Sequence, residues 1–296
     1  MRGAAPLPGL HGLTLDAAGV TVHPSPETRV AEDAGAGGRA PTPAPGRAST
    51  GLAELDALLG GGLPRHSQTL VVGRLGTGKT LLGLCFALAG ARAGEPTVFL
   101  GFRESAAQLA EKAAHFALGA ELRAALAPGG GLTLLRLPPV NQDPDALADR
   151  LLAAVDGAGA RRLVVDSVAE LERAVATSGD PGRVDDYLAA LVELLRARAV
   201  TTLFIRDVRQ TVAAEIDFGE EPLAVFTENL VLLRQVAHRG RLRRVLAVLK
   251  MGASAHDTSL REFTIRAPEG IRVLAPFESG AGVLADLAAD DATDDA

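Results

Sequence analysis

The chain has no tryptophan, one tyrosine (Tyr187) and one cysteine (Cys85), and aromatic residues make up only 3% of its 296 positions. A single cysteine excludes an intrachain disulfide. Its place among leucines suits a small buried hydrophobe better than a reactive thiol. With so few aromatics, a core must be built from Leu, Val, Ala and Ile, and a hydrophobic content of 47% is ample for one. Excess positive charge is also missing. The formal net charge is −6, so no global field draws the chain to nucleic acid or to an anionic membrane. No apolar run reaches the length of a membrane span. The N-terminus offers an early Arg2 and then prolines and glycines, not a signal-peptide core. A cytoplasmic protein without a membrane segment is the expectation.

The two ends differ from the middle. Residues 1–47 hold 7 of the 17 prolines and no aromatic residue. Such a segment buries too little apolar surface to offset its ordering entropy, so it is expected to be disordered or weakly docked. An amphipathic piece over residues 7–22 is its one candidate for docking. At the other end, residues 276–296 are expected to form a flexible tail, acidic through five Asp between 286 and 296.

Residues 73–80, between these ends, read Gly-Arg-Leu-Gly-Thr-Gly-Lys-Thr, a complete G-x-x-x-x-G-K-T phosphate loop. Its glycines let backbone N–H groups converge on phosphate oxygens, its lysine sets a point charge against them, and its last hydroxyl is a Mg²⁺ ligand. The candidate nucleotide contacts are therefore Gly73, Gly76, Thr77, Gly78, Lys79, Thr80 and the adjoining Leu81. Context supports the motif. An apolar strand-like run, 68–72, precedes it, and a helix with a broad apolar face follows, ending near Gly94. This arrangement aims a helix N-terminus at an anion.

Strand-like and helix-like runs then alternate. Residues 97–102, 132–137, 161–166 and 201–205 read as strands. Residues 105–117, 143–155 and 184–198 read as helices, the second opened by an Asp cap and a first-turn proline. The alternation implies an α/β fold, a mostly parallel sheet covered by helices on both faces. From Asn229 onward, 230–236, 244–250, 262–265 and 271–273 read as successive strands, an antiparallel C-terminal extension of that sheet.

Two acids complete the candidate chemistry. Asp166 ends an apolar strand and is placed to hold Mg²⁺ from a neighbouring strand. Glu104 lies just past another strand end, where a water-orienting carboxylate can act. Lys250 and His256 near the end of a later strand read, on spacing alone, as surface residues. The basic cluster 238–244 reads as a solvated hairpin turn, with no interleaved aromatics to stack on bases.

Several further stretches resemble the KaiC family of RecA-type ATPases. They are Ser49-Thr50-Gly51-Leu52, Leu55-Asp56, residues 58–65, Gly94-Glu95-Pro96, Glu104-Ser105 with Gln108-Leu109, Asp166-Ser167, and Glu228-Asn229-Leu230 with Leu232-Leu233-Arg234. Arg243-Arg244, Lys250-Met251, Ser254, His256-Asp257 and Arg261-Glu262-Phe263 complete the match, which covers one domain over residues 48–275. The resemblance implies a RecA-like P-loop NTPase core that binds ATP with Mg²⁺. It also implies a homo-oligomer, a hexameric ring with ATP between subunits. In such a ring Lys250, Met251, Ser254 and His256 reach a neighbour's nucleotide. Lys79 and Glu104 are then the catalytic candidates, and Thr80 and Asp166 the metal ligands.

The chain departs from that pattern where catalysis is concerned. The family's first of two adjacent acids is Arg103. Its trans arginine, in a Lys-x-Arg, is Gly252. Its phosphorylated hydroxyl pair aligns with Ala224-Val225, which does not support autokinase activity. A trans arginine is worth about 10³ to 10⁵ in rate, or about 4 to 7 kcal/mol of barrier. The expectation is a regulatory or signalling ATPase that hydrolyses slowly and acts on a protein partner. The alternatives are a DNA-recombination or helicase-type motor, which the charge and the missing DNA-binding loop oppose, and a non-catalytic nucleotide-binding scaffold.

Overall fold

The computed structural model describes residues 9–17, 19–35, 45–140, 142–208, 222–238, 240–252 and 254–277. The expected acidic tail lies almost wholly outside these residues. The first elements are β1 (Gly12–Asp16), β2 (Gly19–His23), α1 (Pro26–Gly35), β3 (Arg47–Ala48), α2 (Ala53–Leu58) and β4 (Leu63–Pro64). The core follows with β5 (Gln68–Gly73), α3 (Lys79–Arg92), β6 (Thr97–Gly101), α4 (Ala106–Ala114), α5 (Gly119–Leu126), β7 (Leu132–Arg136), α6 (Pro144–Ala158) and β8 (Arg162–Asp166). After it come α7 (Val168–Thr177), α8 (Val184–Ala197), β9 (Thr201–Asp207), α9 (Pro222–Phe226), β10 (Asn229–His238), β11 (Arg241–Met251), β12 (Arg261–Arg266) and β13 (Gly270–Pro276).

Nine strands form one sheet in the order β13-β12-β11-β10-β5-β9-β8-β6-β7. From β10 to β7 every pairing is parallel, and β11, β12 and β13 extend the sheet antiparallel. The period-2 geometry of a strand sends alternate residues to opposite faces. Leu70, Val72, Leu163, Val165 and Phe204 pack with α6, α7 and α8 on one side. Val71, Phe99, Val164, Leu203 and Ile205 pack with α3, α4 and α5 on the other. This is the α/β architecture read from the sequence, a RecA-like core.

Local chemistry fixes the helix ends. Ser105 and Gln108 form a capping box at α4, with Ser105 N–H donating to Gln108 Oε1 at 2.9 Å. Asp143 Oδ1 accepts from Ala146 N–H at 2.8 Å, Pro144 opens α6, and Gly159 closes it at φ 56°. Helix α3 is buried nearly all round, as suits a helix enclosed by its own sheet.

The N-terminal segment, expected from its composition to be disordered or weakly docked, is described only in part. Its described part is the β1–β2 hairpin and α1, docked on α6 and α8. Polar anchors hold it. Gly12 N–H donates to Asp145 Oδ2 at 2.8 Å, His23 Nδ1 lies 2.7 Å from Asp149 Oδ2, and Arg29 also pairs with Asp149. Arg183 donates to Glu27 at 2.6 and 2.8 Å and to Asp145. Composition measures apolar burial and misses such pairs. Leu13, Leu15 and Val20 indeed stay exposed. Among the described residues no helix is long and apolar enough to cross a membrane.

Candidate nucleotide site

Sheet register brings the site together. Gly73 at the end of β5 lies opposite Asp207 at the end of β9. Asp166 at the end of β8 lies opposite Ile205 on one side and Gly101 on the other. The carboxyl ends of β5, β9, β8 and β6 thus form one rim, the edge where open α/β sheets bind ligands. The order corrects one detail: β8 is not adjacent to β5, because β9 lies between them and places Asp207 beside the phosphate loop.

The loop needs its glycines. A Cβ on Gly73 would run into the Leu233 carbonyl. Gly78 caps α3 at φ 99°, and a Cβ there would run into Ile265 Cδ1. Lys79 is buried, and its ammonium donates to the carbonyls of Gly73 and Arg74, each at 2.8 Å. It also pairs with Asp207 Oδ1 at 2.8 Å. Thr80 Oγ1 donates to Asp166 Oδ2 at 2.7 Å. Desolvation pushes the Asp166 carboxyl up to about 6, against the Thr80 hydroxyl bond, with the Asp207 and Glu104 charges adding to the rise and Lys79 opposing it.

These groups face a cavity of about 460 Å³, the size of a small-molecule pocket. Gly76, Gly78, Lys79, Thr80, Asp166 and Asp207 line its polar side, and Leu84, Phe99, Leu109 and Phe116 its apolar side. A helix N-terminus and a buried ammonium can hold phosphate. The adjacent Thr80 and Asp166 oxygens fit Mg²⁺, a hard cation that takes one or two protein oxygens and leaves its other positions to phosphate and water. Among the described residues no cluster of three or more His, Cys, Asp or Glu could hold a metal.

Other expected residues fall differently. Glu104 borders the cavity, but its carboxylate is paired with Lys112 on α4. Arg103 also borders it and donates to Glu170 Oε1 at 2.9 and 3.2 Å. Glu170, in the first turn of α7, is buried and holds Arg173 with its other oxygen. Arg244, from the cluster read as a solvated turn, is half-buried at the cavity wall, and its Nε has no hydrogen-bond partner. Arg243 instead pairs with Glu262 at 2.7 Å.

Lys250, Met251, Ser254 and His256 are not part of this cavity. Met251 pairs with Asn229, which pairs with Thr69 near the start of β5, whereas the phosphate loop leaves β5 at its end. Lys250 donates to the carbonyls of Ala224 at 3.0 Å and Thr227 at 2.7 Å, tying down the end of α9. Within one protomer Lys250 and Met251 sit at the opposite end of the strands from the loop.

Sequence reading missed Glu170 and Asp207. Asp207 carries the signal that exposed Asp166, an acid closing an apolar strand. Glu170 gives none, because only the fold joins α7 to the end of β6.

A parallel sheet with this loop and acid at its carboxyl rim defines a P-loop nucleotide-binding protein with a RecA-like core. The family model described as "ATPase: KaiC" matches residues 48–278, and the chain belongs to that family. It is 26% identical over 265 residues to the circadian clock oscillator protein KaiC of Picosynechococcus sp., covering 90% of this chain and 48% of that protein. It is 28% identical over 239 residues to the circadian clock protein KaiC3 of Synechocystis sp., covering 81% and 46%. The KaiC oscillator protein of Rippkaea orientalis is 26% identical over 265 residues, covering 90% and 48%. The chain thus spans about half the length of the curated relatives it matches.

Proposed function

We propose that the protein binds ATP·Mg²⁺ at residues 73–80 and hydrolyses it slowly, using the nucleotide to control assembly and contact with a protein partner in the cytoplasm. The observation that carries this reading is the 2.7 Å bond from Thr80 to Asp166 beside the buried Lys79. It pairs a cation-binding oxygen set with a phosphate-binding charge at one rim. Gly73, Gly76, Thr77, Gly78 and Leu81 shape the phosphate cradle, Lys79 neutralises phosphate charge, and Thr80 and Asp166 hold Mg²⁺. The metal, when bound, supplies charge neutralisation and polarises the phosphate oxygens.

Slow turnover follows from the surroundings of that rim. The expected acid position holds Arg103, Glu104 is bound to Lys112, and Gly252 presents no side chain. The position of Lys250 and Met251 away from this protomer's own loop supports a role for them, together with Ser254 and His256, toward a neighbouring protomer's nucleotide in a hexameric ring. A regulatory role rests on the clock proteins among the relatives. The test is ATP binding and phosphate release by the full chain, its Lys79→Ala variant and its Asp166→Asn variant. Tight binding lost in both variants, with wild-type turnover far below about 1 s⁻¹, the low end for typical enzymes, supports the reading. Turnover in the ordinary enzyme range refutes slow hydrolysis, and binding without any phosphate release leaves a nucleotide-gated scaffold.

A further inference from the structure

Arg103 begins as an anomaly, a cation where the family resemblance implies an acid. The structure gives it a setting. It follows the end of β6 on the rim and borders the same cavity as Lys79 and Thr80. Besides Glu170, its nearest partner, the charges of Asp207 and Asp166 act on it. Asp207 is the acid that holds Lys79, so the guanidinium lies in the field of the groups flanking the phosphate loop.

Two features make the Arg103–Glu170 pair exchangeable. Three-quarters of the Arg103 side chain is exposed, so solvent screens its end of the bond to Glu170 and the guanidinium is free to swing. Glu170 is buried but does not depend on Arg103 alone, because Arg173 holds its second oxygen. When Arg103 leaves, the carboxylate keeps a charged partner. A terminal phosphate is a stronger acceptor than a shared carboxylate, and the planar guanidinium fork matches its geometry.

We propose that Arg103 is a terminal-phosphate ligand of ATP, supplied in cis and held in reserve by Glu170. With ADP it stays on Glu170, and with ATP it turns into the cavity. Glu170 is a positioning residue in this scheme and touches no nucleotide. The pair makes the rim sensitive to which nucleotide is bound, and the inference rests on the ATP reading given above.

The test measures dissociation constants of the full chain with Mg²⁺ for ADP and for a non-hydrolysable ATP analogue with an imido β–γ bridge. Wild type is compared with Arg103→Ala, Arg103→Lys and Glu170→Gln, each checked for an unchanged thermal melt. Arg103→Ala is expected to weaken the analogue about tenfold or more, the value of one charge-assisted contact, and to leave ADP within about twofold. Arg103→Lys, which keeps the charge but not the fork, falls between. Glu170→Gln releases the arginine and tightens the analogue several-fold without moving ADP.

If wild type binds both nucleotides and Arg103→Ala shifts them equally or not at all, the inference fails while the ATP reading stands. If Glu170→Gln weakens the analogue, the reserve role of Glu170 is wrong. If wild type binds neither nucleotide, both readings fall.

Discussion

The ion pair between Lys79 and Asp207 implies that the lysine is occupied before any phosphate arrives. Replacing Asp207 with Asn removes that competitor and keeps the side-chain shape. The size of the effect follows from the exposure of the pair. Lys79 is only 5% exposed, but Asp207 is 41% exposed, so solvent screens much of the attraction. The pair is therefore worth about 0.5–1 kcal/mol, and its loss tightens nucleotide about two- to fivefold. A second contribution has the same sign. The Asp207 charge helps to push the Asp166 carboxyl up to about 6. A raised carboxyl is protonated, and so unable to ligate a cation, as pH falls through that value. Removing Asp207 lowers it and keeps Asp166 ionised further into acid. This adds little at pH 7.5 and more near pH 6. Competition binding with a fluorescent ADP and ATP pair at both pH values checks it. Both nucleotides are expected to tighten together, more at pH 6. Weaker binding at both pH values would falsify the reasoning, because Asp207 would then act with the nucleotide rather than against it.

Three further outcomes are expected. Gly78→Ala forces a side chain onto left-handed backbone at the start of α3 and pushes Ile265 aside, so it should weaken nucleotide binding and lower the melting temperature, read by titration and thermal denaturation. Arg183→Ala strips a partner from buried Asp145 and from Glu27, loosening the N-terminal segment by about 1.5–3 kcal/mol. Amide exchange should rise over residues 12–35 and stay unchanged in β5 and β8. Burial pushes the Cys85 thiol up to about 11, with Arg92 opposing and Glu121 adding. Native protein at pH 8 should resist iodoacetamide that labels the unfolded chain at once. The stability this thiol contributes is present below about pH 8.5, its ordinary value, and declines as pH rises through 11.

The parts of the fold legible in the sequence are those with local signals. The phosphate loop, the strand closed by Asp166, the capped helix at Asp143 and the run of C-terminal strands each carry their own residue pattern. Helix α7 escaped reading, and with it Glu170, which only tertiary packing joins to Arg103 across 67 residues of chain. Residues 7–22 read as a piece that can dock, but where they dock was illegible, because the anchors Asp145, Asp149 and Arg183 lie far along the chain and act through charge. Strand order was equally hidden. That β9 separates β5 from β8, and that Lys250 lies at the opposite end of the strands from the loop, depends on which strands pair, and no local spacing encodes that.

Calorimetric titration of the full chain with ATP and Mg²⁺, alongside Lys79→Ala, tests the central claim most directly. One site per protomer in wild type, absent from a folded Lys79→Ala variant, is the expected result. Equal binding by the two proteins, or none by wild type, would contradict the account.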